Sequence, residues 1–148
     1  MSGGGLAIGL SVVAGLAGAL QVALMSRLGD RITVAGALAF STLLTAVLAA
    51  AILLVARRNL DAYREALHQP AWMLLGGVMG LLIVFTITYA GPRIGTVTTV
   101  GILIAGQLVM GAAIDRFGLL GSAKVALHWP RLLGLVLLAA GSALSLKN

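Results

Sequence analysis

Residues 32–56 read ITVAGALAFSTLLTAVLAAAILLVA, with no Lys, Arg, Asp or Glu at any position. About 20 apolar residues in a helix are enough to cross the hydrocarbon of a bilayer. The segment therefore predicts a membrane-spanning helix, closed by Arg57-Arg58. Working outward, the pattern repeats. Leu6–Met25, Ala71–Tyr89 and Ile94–Ile114 are also uncharged over spanning lengths, and Leu132–Leu146 is a shorter stretch of the same kind. The charged residues fall in the short clusters between them. The expected fold is all-α: a polytopic membrane protein with helices at about 5–26, 33–56, 71–90, 95–114 and 130–146, forming one transmembrane domain over 1–148.

Composition agrees. A mean hydropathy of +1.09, with 60% hydrophobic and 9% charged residues, is remote from soluble domains, in which roughly a quarter of residues are charged. In water such a chain would expose large apolar patches. The net charge of +6 and pI near 11.3 do not indicate nucleic acid as a partner, because the cations form no contiguous basic face. They stand at helix ends, where cations meet lipid headgroups. With no cysteine, disulfides, thiol catalysis and thiolate metal sites are excluded. Met1–Gly5 lacks the basic start of a secretory signal, so the first apolar stretch is expected to be a retained helix.

Turn chemistry separates the spans. Arg27-Leu28-Gly29-Asp30-Arg31 is expected to be a short turn after the first helix, and Gly91-Pro92-Arg93-Ile94-Gly95 a compact turn after the third. The polar segment 59–69 places Tyr63 and Leu67 four residues apart, as on a short surface helix. Pro70 opens the third span, Asp115-Arg116-Phe117-Gly118 closes the fourth, and Trp129-Pro130-Arg131 opens the fifth. About 15 residues give that last helix roughly 23 Å, so spanning would require Arg131 and Lys147 to snorkel or the bilayer to thin. Trp72 and Trp129 start the third and fifth spans on one side of the membrane, as interfacial anchors do. That side carries Arg57, Arg58, Arg64, Arg116, Lys124 and Arg131, and the other carries Arg27, Arg31, Arg93 and Lys147. This is a weak bias by the positive-inside rule, compatible with insertion in both orientations.

No charged residue lies mid-span. Intramembrane charges mark proton relays and ion-coupling sites, so a carboxylate-driven pump has no obvious residue here. Asp115, the nearest, reads as an interfacial partner for Arg116 or a loop cation. Gln21 and Gln107 are the most polar groups within spans, and an amide in hydrocarbon is costly unless hydrogen-bonded. Thr96, Thr99, Gln107 and Gly111 share a face of the fourth helix, while Ser11, Gly15 and Gly18 share one on the first, with Gln21 at its edge. Two readings stay open: a polar substrate pathway lined by these helices, or amides bonding neighbouring helices. Tyr89 reads as a belt residue or a lid on that pathway. Gly76, Gly77 and Gly80 form a small-residue face suited to close helix packing, as do Gly15, Gly18 and Gly111. Ser41 and Thr45 are expected to bond the backbone one turn back. His68 and His128 lack companion ligands, so no metal or other cofactor is implied. No Ser-His-Asp order, phosphate loop or HExxH motif supports an enzyme.

The signatures Pro70-Ala71-Trp72, Gly76-Gly77-x-x-Gly80, Gly91-Pro92-Arg93-Ile94-Gly95, Gly106-Gln107-Leu108, Asp115-Arg116-Phe117-Gly118-Leu119-Leu120-Gly121 and Pro130-Arg131-x-x-Gly134 occur in that order. Together they resemble the YdcZ-type inner-membrane proteins, a five-helix branch of the drug/metabolite transporter superfamily. The resemblance implies a multi-pass transporter of the bacterial cytoplasmic membrane. Larger members of that superfamily have ten helices in two inverted repeats, so this chain would be one repeat-sized unit. It would work as an antiparallel homodimer, or beside a paired homologue, moving a small polar or amphipathic metabolite by alternating access. The alternatives are a pore-type channel and a non-transporting membrane scaffold. Small four-helix multidrug exporters carry a membrane glutamate in helix 1, where this chain offers Gln21.

Overall fold

The computed structural model describes residues 3–57, 61–122, 124 and 129–145. Met1, Ser2, Arg58, Asn59, His128, Leu146 and Lys147, which entered the sequence reading, lie outside the described residues. The helices are α1 (Gly3–Ile32), α2 (Val34–Arg57), α3 (Asp61–Leu67), α4 (Ala71–Ile94), α5 (Thr96–Phe117) and α6 (Trp129–Leu144), with one 3-10 turn at Leu119–Gly121. Four are long and apolar enough to cross a membrane: Gly4–Ile32, Val34–Ala56, Ala71–Ile94 and Thr96–Phe117. The expected fifth span corresponds to α6, whose 16 residues reach about 24 Å against hydrocarbon about 30 Å thick. The polar segment forms the surface helix α3, exposed along its whole length.

Two expected turns are helical instead. α1 runs unbroken through Arg27-Leu28-Gly29-Asp30-Arg31 to Ile32. One glycine does not end a helix when its neighbours continue the ladder, and charges at a membrane surface need no loop to reach water. The break falls at Thr33, at φ 125°. Its N–H still donates to the Gly29 carbonyl at 3.0 Å, while its own carbonyl accepts from Ala37 at 2.9 Å. Its hydroxyl oxygen accepts the Gly36 N–H at 3.1 Å, capping α2. One residue therefore finishes α1 and starts α2. α4 likewise continues through Gly91-Pro92-Arg93 to Ile94. Pro92 withholds one N–H, a tolerable loss in a last turn, and the chain reverses at Gly95, φ 81°. α5 ends as expected: Gly118 is left-handed at φ 64°, and its N–H donates to the Ile114 carbonyl.

The chain divides into two compact units. One comprises residues 24–92. Its core holds Met25, Ser26, Gly29, Ala37, Ile87, Thr88 and Gly91, all buried. Here α1 meets α4. A Cβ at Gly29 would lie 2.7 Å from the Thr88 methyl and 3.6 Å from the Thr88 carbonyl oxygen. The Thr88 hydroxyl is satisfied by the Val84 carbonyl at 2.7 Å. Thr42, Thr45 and Thr86 bond the carbonyls four residues back in the same way, which allows a hydroxyl to sit in hydrocarbon without an orphaned donor.

The other unit comprises residues 1–23 and 93–148. Within it α5 and α6 pack antiparallel. The Thr98 hydroxyl lies 3.1 Å from the Ser145 carbonyl and 2.9 Å from its hydroxyl, so the start of α5 meets the end of α6. Thr98, Thr99 and Ala112 are the buried residues of α5. Across the described residues the buried apolar side chains are Val22, Met25, Ala37, Ile87 and Ala112. Large apolar side chains face outward along every long helix, with Ile8, Leu16, Val55 and Val97 each more than two-thirds exposed. Such a surface suits acyl chains, not water.

Candidate functional site

Gln21 on α1 and Gln107 on α5 are both exposed and belong to the same unit. Each lies inside an apolar helix, and the nearest charges along it are Arg27, six residues after Gln21, and Asp115, eight residues after Gln107. Of the hydroxyls expected on the same pathway, two are engaged by their own helices. Ser11 donates to the Ala7 carbonyl at 2.9 Å, and Thr99, 2% exposed, donates to the Gly95 carbonyl at 2.8 Å. Thr96 is half-buried in the first turn of α5. Ser11 and Thr99 thus present oxygens already committed as donors to their own helices. The two amides, by contrast, are both exposed to the surroundings of the helices.

Tyr89 lies in the other unit, on α4. Its ring stacks on Phe85 at a centroid distance of 6.1 Å and an interplanar angle of 12°. Trp72, Trp129 and Asp115 occupy helix ends. Trp72 is the second residue of α4, Trp129 the first of α6, and both are exposed. Asp115 is half-buried in the last turn of α5 and has a contact of its own.

The glycine faces are open. A Cβ at Gly15, Gly18, Gly76, Gly77, Gly80 or Gly111 would meet no atom within 4 Å. Gly29, read from sequence as part of a turn, is packed against another helix. Its signal was the Ser26-x-x-Gly29 spacing, which puts two small residues on one helical face. The Thr98–Ser145 pair was also missed. Nothing local marks it, since the two residues lie 47 positions apart.

Besides a groove of about 320 Å³ near Val97, Gly101 and Ser145, the α5–α6 pair carries two that overlap. One, of about 660 Å³, is lined by residues including Ile102, Gly106, Val109 and Ala143. The second, of about 420 Å³, reaches Arg116, Phe117 and Leu132. Gln107 lines neither.

An all-helical chain with four helices long and apolar enough to cross a membrane, none with a charge at its middle, has the framework of a membrane protein. A family model described as "Putative inner membrane exporter, YdcZ" matches residues 6–144. The chain belongs to the YdcZ family. That match runs from the first turn of α1 to the last residue of α6, and includes every signature from Pro70 to Gly134. As a YdcZ protein it is an inner-membrane protein of exporter type, in agreement with its four long apolar helices. No curated protein and no solved structure matches the chain.

Proposed function

We propose that this YdcZ protein is one half of a transporter, completed by a second copy inserted in the opposite orientation. The pair moves a small polar or amphipathic metabolite by alternating access. α6 serves as the fifth span, its shortfall closed by snorkelling of the flanking cations or local thinning of the bilayer. The observation that carries the reading is the exposure of Gln21 and Gln107 within apolar helices. Facing lipid, each amide would lose its hydrogen bonds to water without replacement. Facing a second copy, four amides would border a cavity near the midplane, where inverted-repeat transporters bind their substrates. The open faces of Gly15, Gly18, Gly76, Gly77, Gly80 and Gly111 supply the close-packing surfaces that such a partner needs. With no mid-span carboxylate, the site suits neutral or zwitterionic solutes better than cations.

The experiment is uptake into proteoliposomes by wild type and Gln107→Leu, paired with labelling of a Cys appended to the C-terminus from each side of intact cells. Saturable wild-type flux that falls at least about tenfold in the variant, with labelling from both sides, is the expected result. A tenfold loss corresponds to about 1.4 kcal/mol, the scale of one hydrogen bond. Full activity in Gln107→Leu removes that residue from the mechanism. One-sided labelling excludes the antiparallel homodimer.

A further inference from the structure

The grooves on the α5–α6 pair play no part in the proposed pathway. They share Val109, Ala113 and Ala139, and so form one continuous channel along the helix pair. From Ile102 to Ala113 its lining is wholly apolar. At the other end it reaches Arg116, at the last turn of α5. Two residues beyond Arg116, the Lys124 side chain lies over Gly118: its Cγ and Cε are 2.8 and 3.3 Å from where a Gly118 Cβ would stand. The groove thus has an apolar body and a cationic mouth. Asp115, the adjacent carboxylate, lies about 100° around the helix from Arg116 and does not line the groove.

The dimensions fit one occupant. Ile102 to Arg116 spans about 21 Å of helix, and one leaflet of hydrocarbon is about 15 Å deep. A chain entering at Arg116 and running inward therefore ends within the groove. We infer that this groove binds a single anionic phospholipid of the surrounding leaflet. One acyl chain lies against Val109, Ala113 and Ala139, and the phosphate lies at Arg116 and Lys124. Zwitterionic lipid fills the same apolar body but gains less at the mouth, because its headgroup carries no net charge. Each cation near a membrane surface favours the anionic lipid by about fivefold. The inference stands independently of transport and of the two glutamines.

The test uses the full chain in vesicles, with Trp72→Phe and Trp129→Phe removing native indoles and Val109→Trp placing one at the groove's rim. Val109 is 62% exposed, so the larger side chain has room. Quenching is compared between phosphatidylglycerol and phosphatidylcholine of identical, tail-brominated chains at equal mole fraction. Stronger quenching by phosphatidylglycerol, by at least about fivefold in apparent affinity, is expected. Arg116→Gln should remove most of that preference, while Arg64→Gln on the remote surface helix α3 should leave it intact. Equal quenching by the two lipids overturns the inference, as does a preference that survives Arg116→Gln. Failure of both lipids to quench also overturns it, and assigns the groove to a second copy of the chain.

Discussion

Gly29 has room for a hydrogen and nothing larger. A Cβ there would press on the Thr88 methyl at 2.7 Å, and Thr88 cannot swing away, because its hydroxyl is tied to Val84 and its residue is fully buried. Gly29→Ala should therefore destabilise the protein by about 1–3 kcal/mol, the usual cost of overpacking. Thr88→Ser, which deletes the offending methyl, should recover much of that loss in the double variant. Unfolding in mixed micelles followed by circular dichroism measures the coupling, and simple additivity of the two substitutions would show that the contact is not the cause. Thr33 offers a second test. It holds a positive φ of 125°, a strain of order 1–3 kcal/mol for a residue with a Cβ, while its side chain caps Gly36. Thr33→Ala keeps the strain and loses the cap, so it should cost about 1 kcal/mol. Thr33→Gly relieves the strain as it loses the cap and should come out near neutral or stabilising. Finding alanine better than glycine at this position in the same assay would refute the account.

At the scale of elements, helix ends were harder to read than helix existence. α2 lies within a residue of its expected limits, since a long uncharged run bounded by Arg57 needs only composition to define it. α1 and α4 each extend past the glycine and charge clusters that suggested turns. A turn requires the backbone to leave helical geometry, and neither Gly29 nor Gly91 is made to do so. The departures fall at Thr33 and Gly95, where a positive φ reverses the chain in one residue. α6 sits at the other limit. Its 16 residues match its apolar stretch, but length alone leaves it short of a full crossing. The antiparallel contact with α5, anchored at Thr98–Ser145, gives it a packed face that composition could not foretell.

For the whole molecule, the decisive quantity is the balance of cations between the two membrane faces. Six against four in the sequence reading leaves orientation nearly free, and a few added charges should settle it. Gln69→Arg with Ser122→Arg raises one side to eight. Both positions are exposed, and the loss to folding is confined to the Ser122 hydroxyl's bonds to the Leu119 and Ile114 carbonyls. If two orientations are required, this variant should label from one side only and lose most of its transport. Co-expression with a variant biased the opposite way, by cations added beside Arg27 and Arg93, should restore flux. Full transport by the singly oriented protein would rule out an antiparallel pair.

Hydrophobic length and charge clustering are local properties, and they were sufficient for the all-helical membrane class, the four long helices and the surface helix α3, while the ordered signatures from Pro70 to Gly134 carried the resemblance to the family. Polar groups stranded in apolar runs, Gln21 and Gln107, could also be picked out residue by residue, because the cost of an amide in hydrocarbon does not depend on its neighbours in the fold. Which glycine touches another helix, where α1 gives way to α2, and which faces of α5 and α6 leave a groove depended on residues far apart in the chain. In lipid every apolar face is equally content, so hydropathy carries no information about which faces meet. Shape does, and shape exists only once the helices are packed.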